Sequence, residues 1–238
     1  MEVPAPVARF LEVAFPEGAP KVETAALEGT GRFWLRRSPW IPFENTISFR
    51  PGRDRVSDMF VRLGPFTLFR VLDAYVDGHG ITKVLRKADV GDEIDQGALH
   101  PMLVEALMVP SCWSEIAGFS WEAADGTSAR IIVPFAGGTE RATVRFDART
   151  GFPSLYETPR FKKVGGPKVD WRADMADWTR FGPVVAPRRI SVTWADEPGP
   201  WLKERFTRVT TGEPVEEPIA RARAAITHAR QATLEPGP

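Results

Sequence analysis

Two rhythms of apolar residues run along this chain. At its start, Val7, Phe10, Leu11 and Ala14 recur at i, i+3, i+4 and i+7. That is one face of a helix, with Pro16 and Gly18 as stops. At the other end, Pro218 opens IARARAAITHARQATL. There Ile219, Ala222, Ile226 and Ala229 make a thin apolar stripe on a strongly helix-forming background, and EPGP at 235–238 ends it. Between about residues 21 and 210 the pattern becomes short β-rich runs separated by turn signals. Asp77-Gly78-His79-Gly80, Asp125-Gly126, Gly137-Gly138 and Arg149-Thr150-Gly151 sit between them as hairpin loops do. Strands are predicted near 22–36, 43–50, 54–63, 66–76, 81–88, 119–124, 128–135, 140–147, 153–161, 168–179, 184–195 and 202–210. One helix, over 99–109, interrupts them on the spacing of Leu99, Met102, Leu103, Ala106 and Leu107, and Pro110 ends it. Pro101 then falls in its first turn, where a missing N–H costs little.

A long antiparallel series must hide its edges, and it does so by curling. The predicted fold is mainly β (α+β): a curled antiparallel half-barrel of about ten to twelve strands, with an N-terminal helix, a helix near 99–109 and a C-terminal helix. Residues 1–211 are expected to form a single domain and 212–238 a helical extension. The 20 glycines and 22 prolines exceed the usual share of about 12% and favour turns over a helical bundle. Large rings (8 Trp and 15 Phe against 2 Tyr) suit the concave side of a wide sheet, as plain core or as walls of a ligand-holding interior. Lys plus Arg and Asp plus Glu both number 31, so the basic excess of a nucleic-acid binder is missing. The single cysteine, Cys112, excludes an internal disulfide and a Cys-based zinc site. The first residues show no targeting segment, no apolar stretch is long enough for a membrane span, and the expected compartment is the cytoplasm.

A set of short motifs, in order and spacing, resembles a bacterial family of unknown function. It begins with Pro4-x-Pro6-Val7-Ala8-Arg9-Phe10, Pro16-x-Gly18, Gly31-x-Phe33 and Trp40-x-Pro42-Phe43. It continues in Asp73-Ala74-Tyr75-Val76-Asp77-Gly78-x-Gly80, then in Leu103-x-Glu105-Ala106 with Pro110, and in Trp121-Glu122 with Ser128-Ala129. Phe146-Asp147, Gly151, Trp171, Pro187 and Trp194 follow. The resemblance implies the half-barrel of the lipoprotein-localisation carriers (LolA-like) and a hydrophobic or amphipathic cargo. That family carries no agreed activity, so the resemblance implies a fold and little chemistry. Three positions depart from its pattern: Leu72 stands where an arginine is frequent, Met108 where a tryptophan is common, and Asp177-Trp178 where an Asp-Tyr pair occurs. The stretch from about 212 lies outside the resemblance.

Candidate chemistry centres on Asp73 and Tyr75. They share the odd-numbered face of a strand with Phe69 and Val71, so that face is expected to point inward. The even-numbered face is apolar too. An inward carboxylate has a raised pKa unless paired, which is what general acid–base work uses; the bland alternative is a strand-end Asp in a salt bridge or capping the Asp-Gly turn. Glu105, flanked by Leu103, Leu107, Met102 and Met108, is the second candidate, and two nearby carboxylates would split their pKa values. With Trp121 these give a predicted ligand-binding set of Phe69, Asp73, Tyr75, Glu105 and Trp121, with Asp73 and Glu105 as catalytic candidates. No metal or cofactor is expected, since His79, His100 and His228 lack ligand spacing. Asp89, Asp92, Glu93 and Asp95 read as a solvated acidic loop, Cys112 as a buried thiol, and Arg160-Phe161-Lys162-Lys163 as a solvated hairpin loop. The leading functional expectation is a binding protein for a small hydrophobic or amphipathic molecule. The alternatives are a cofactor-independent acid/base enzyme and an interaction module whose C-terminal helix docks on a partner or a second copy.

Overall fold

The computed structural model describes residues 3–34, 39–64 and 66–234. The chain opens with α1 (Ala5–Ala14) and then runs through β1 (Ala25–Phe33), β2 (Ile41–Arg50), β3 (Asp54–Leu63), β4 (Phe66–Val76), β5 (His79–Val84) and β6 (Lys87–Asp89). Helix α2 (Asp92–Ala106) and a 3-10 turn, Pro110–Ser114, follow. The second half holds β7 (Ser120–Ala123), β8 (Ser128–Phe135), β9 (Gly138–Phe146), β10 (Pro153–Phe161), β11 (Lys168–Phe181), β12 (Val184–Trp194) and β13 (Leu202–Thr211), and ends in α3 (Glu216–Leu234).

Among the described residues, 13 strands form one sheet in the order β6-β5-β4-β3-β2-β1-β13-β12-β11-β10-β9-β8-β7. Neighbours pair antiparallel throughout. First and last strands meet in the middle, from Ala25 opposite Thr211 to Phe33 opposite Leu202. The sheet's two edges, β6 and β7, are neighbours in sequence, joined through α2. Native twist and register breaks at Glu28/Gly29 and Val61/Arg62 bend the strands. The predicted curled antiparallel sheet with a helix at each end is the fold observed.

Helix α2 seats itself in the concavity, and 12 of its 15 residues are buried. Its polar side chains must therefore find partners inside. Asp95 accepts from the Gly80 N–H at 2.6 Å and pairs with Arg230. Gln96 donates to the Pro159 carbonyl at 3.0 Å, and His100 Nδ1 lies 2.8 Å from the Tyr156 hydroxyl. α1 lies against the other half of the sheet, with Phe10 in ring contact with Phe146, Phe152 and Trp178. Arg180 donates to the Ala14 carbonyl and caps that helix.

The convex side is covered by α3. Val215, Ile219, Ala222 and Ile226 pack on Val56, Leu72, Ala74, Val76 and Ile81. Arg221, Arg223 and Arg230 then pair with Asp58, Asp77 and Asp95 of the body beneath. The apolar stripe of the C-terminal helix is thus spent on its own sheet, and the face left to solvent is polar.

Several expectations are corrected. The acidic residues 92, 93 and 95 are not a solvated loop but the first turn of α2, where they complement the helix dipole. The helix begins seven residues earlier than its periodicity indicates, because a helix buried on all sides has no polar stripe to mark it. Pro101 accordingly lies in the middle of α2 rather than in its first turn. The expected strand 81–88 is a hairpin of β5 and β6, turning at Leu85 with a φ of 55° and no glycine to announce it. The expected first strand starts at Ala25 and ends at Phe33; positions 35 and 36, and the EPGP terminus, lie outside the described residues.

The seating of α2 depends on Gly80, where a Cβ would sit 2.5 Å from the Ile94 carbonyl oxygen and 2.9 Å from Ala98 Cβ. Gly80→Ala is expected to lower unfolding free energy by about 1–3 kcal/mol, read from urea denaturation.

Candidate functional site

Between α2 and the concave sheet lies a cavity of about 400 Å³. Its apolar walls come from Ile47, Val104, Val192, Leu202 and Phe206, and from the rings of Trp171, Trp194 and Trp201. Strand alternation puts polar side chains on the same inward faces: Asn45 two residues from Ile47, Ser57 two from Arg55, Glu204 two from Phe206. The result is an apolar hollow with a charged floor.

Arg55 organises that floor. Its Nε donates to Glu105 Oε1 at 2.8 Å, and its Nη1 donates to Asp73 Oδ1 at 2.9 Å. Thr82 adds a weak hydroxyl contact to Asp73 at 3.4 Å. Beside this triad, Ser57 Oγ donates to Asn45 Oδ1, and Asn45 Nδ2 donates to Glu204 Oε1, both at 2.9 Å. One guanidinium serves two carboxylates, and Glu204 has only an amide. Glu105 Oε2 has no hydrogen-bond partner among the described residues. Burial therefore pushes Glu105 up to about 7, outweighing the attraction of Arg55, with the Asp73 charge adding to the rise. Burial likewise pushes Glu204 up to about 7, against its hydrogen bond from Asn45. For Arg55, burial opposes the charge, but the Glu105 and Asp73 carboxylates overcome it and hold the guanidinium above its ordinary value.

A second guanidinium, Arg160, stands in the cavity wall over the rings of Trp171 and Trp194, at 4.9 and 5.5 Å from their centroids. Burial lowers it to about 10, so it stays cationic at neutral pH. Lys162 at the rim pairs with Asp196 at 3.0 Å and Glu197 at 2.7 Å.

Of the residues singled out in the sequence, Asp73 and Glu105 line the cavity, 18 and 50 positions along the chain from the Arg55 that joins them. They meet through that arginine rather than directly. Tyr75, Phe69 and Trp121 do not line it. Tyr75 and Phe69 pack against the main core, where burial lifts the Tyr75 hydroxyl to about 12. Trp121 sits on edge strand β7 among Trp113 and Phe119, with ring centroids at 5.2 and 5.8 Å. The basic run at 160–163 is not simply a solvated loop, since Arg160 belongs to the cavity wall and Lys162 to its rim. Sequence reasoning missed Arg55, Arg160 and Glu204. The available signal was a charge in phase with apolar residues on a strand: Arg55 with Met59 and Val61, Glu204 with Leu202 and Phe206. Among the described residues no group of three or more His, Cys, Asp or Glu is disposed to hold a metal ion. Among the same residues no helix is long and apolar enough to cross a membrane.

The architecture is that of the LolA-like curled sheets. A LolA-superfamily protein from Nitrosomonas europaea superposes with a TM-score of 0.53 at 9% identity, over 90% of this chain and 94% of the other. A DUF1329-family protein from Desulfovibrio piger gives 0.51 at 10% identity, over 95% and 97%. A putative outer membrane lipoprotein-sorting protein domain from Vibrio parahaemolyticus gives 0.47 at 11% identity, over 89% and 95%. At such identities the likeness is one of fold. No curated protein matches the chain. A family model does, over residues 1–204, and the chain belongs to that family of unknown function, DUF6544. Helix α3 lies beyond the matched residues.

Because Glu105 and Glu204 are raised in the fold relative to about 4.3 in the unfolded chain, the folded state holds protons the unfolded chain has released. Their contribution is complete at acid pH, below the unfolded value, and is lost as pH rises through about 7. Unfolding free energy from urea titrations is expected to fall between about pH 5 and about pH 8. Glu105→Gln and Glu204→Gln should each remove part of that slope, at most about 1.4 kcal/mol per pH unit for each group.

Proposed function

We propose that this protein binds a small amphipathic molecule in the cavity beneath α2. One observation carries the reading: a hollow of about 400 Å³ with apolar and indole walls and a floor of charged side chains. That volume falls in the range of small-molecule sites, and the mixture of apolar lining with a few convergent polar groups is their usual composition. A solid interior of the same sheet would have no use for Arg55, Asp73, Glu105 and Glu204, since burying them costs more than apolar packing in their place. The reading is tested by titrating the protein with 10-bromodecan-1-ol, whose bromine quenches tryptophan emission. Saturable quenching is expected, and Val192→Phe, which fills the hollow from β12, is expected to weaken it by about tenfold or more. Linear, unsaturating quenching, unchanged in Val192→Phe, would sink the proposal.

One observation favours acid/base catalysis as a second reading. Glu105, held at about 7 with Oε2 free of any hydrogen-bond partner among the described residues, is poised to exchange a proton with a bound molecule at neutral pH. Under this reading Glu105→Gln retains the brominated alcohol but loses turnover of a substrate. A purely carrying role leaves no turnover to lose.

A further inference from the structure

We infer that Arg160 is the anchor for the carboxylate of an apolar acid, so that the molecule held in the cavity is an anion with a hydrocarbon or aromatic body. This rests on the cavity being a binding site, as proposed above, and names what it recognises.

The inference starts from an imbalance among partners. Each carboxylate facing the cavity is already committed: Asp73 and Glu105 to Arg55, Glu204 to Asn45, Glu197 to Lys162. The Arg160 guanidinium, with five N–H donors, hydrogen-bonds to none of them, and its buried Nε has no acceptor among the described residues. Asp73 is close enough to attract it electrostatically, yet no hydrogen bond forms between them. The neighbouring indoles add to the imbalance, since Trp171 and Trp201 both line the cavity and both have a buried Nε1–H without an acceptor among the described residues. This wall is rich in donors and poor in acceptors.

The geometry holds the guanidinium ready. The rings of Trp171 and Trp194 fix its position. Helix α2 approaches it closely at a glycine: a Cβ at Gly97 would lie 3.3 Å from Arg160 Nε. A side chain there would crowd the guanidinium by a few tenths of an ångström, so glycine leaves it the closest fit against the helix. A planar fork held this way matches the two oxygens of a carboxylate, and a partly desolvated cation gains more from a charged acceptor than from a hydroxyl. A cationic ligand is disfavoured, because Arg160 itself already occupies the faces of Trp171 and Trp194 that would receive it.

The test compares three matched probes in wild-type protein: decanoate, decan-1-ol and decylammonium, each competing with 10-bromodecan-1-ol for tryptophan quenching. Decanoate is expected to compete at about tenfold lower concentration than decanol, and decylammonium to be the weakest of the three. Arg160→Met keeps the apolar stem and removes the fork, and it should reduce the decanoate advantage to about threefold or less. Decanol equal to or better than decanoate in wild type, or decylammonium as the tightest probe, overturns the assignment while leaving the cavity reading intact. An advantage that survives in folded Arg160→Met overturns it too. Failure of all three probes to compete removes the cavity reading and this one with it. The wild-type ranking needs no variant, so a poorly folding Arg160→Met leaves the proposal open to refutation.

Discussion

The disposal of two sheet edges governs this molecule. An open antiparallel sheet leaves a row of unpaired N–H and C=O groups on each side, a hazard that every such protein must manage. Here the short edge strands β6 and β7 are neighbours in sequence, and the helix between them lies within the curl. That single placement has three effects. It covers the concave core, it forces the polar side chains of α2 to find partners inside, and it stops short of filling the concavity. The hollow exists because the sheet is wider than one helix.

The partners of α2 are unevenly supplied, and the unevenness marks the site. Asp95, Gln96 and His100, on the half of the helix away from the hollow, have multiple hydrogen bonds to β10, the β4–β5 hairpin and α3. Glu105, near its end, has one charged partner and one bare oxygen. Buried carboxylates left in that state lower the stability of the fold, and a sequence selected only for folding would replace them with apolar residues. Among the cavity carboxylates only Glu105 keeps a buried oxygen with no hydrogen-bond partner among the described residues, and the Arg160 guanidinium of the same cavity wall is hydrogen-bonded to none of those carboxylates.

The hairpin series was legible in the sequence because each turn carries its own chemistry, as at Asp77-Gly78 and Gly137-Gly138, and because strand alternation is a local property. The β5–β6 turn escaped because Leu85 adopts the left-handed conformation that a glycine or asparagine would announce and a leucine does not. Helix α2 was read short because its amphipathicity vanishes when every side is buried. At the site, Asp73 and Glu105 were legible as carboxylates in apolar company. Arg55 and Arg160 were not, since an arginine on a strand looks like any solvated charge until a helix from elsewhere in the chain covers it. Tyr75 and Phe69 share Asp73's face but sit off the hollow, because the face of one strand extends beyond the width of the cavity.

The pairing of β1 with β13 has a consequence for biosynthesis. In synthesis from the N-terminus, β1 to β6 are made in the order in which they pair, but one flank of β1 has no partner until β13, the last strand, is made. Until then that flank is an unpaired strand edge, the kind of surface on which other chains can pair. Two glycines, Gly29 and Gly31, and the charges of Glu28 and Arg32 make β1 a poor template for an intruder. The weakness of this strand in isolation is thus its protection during the interval before its true partner arrives.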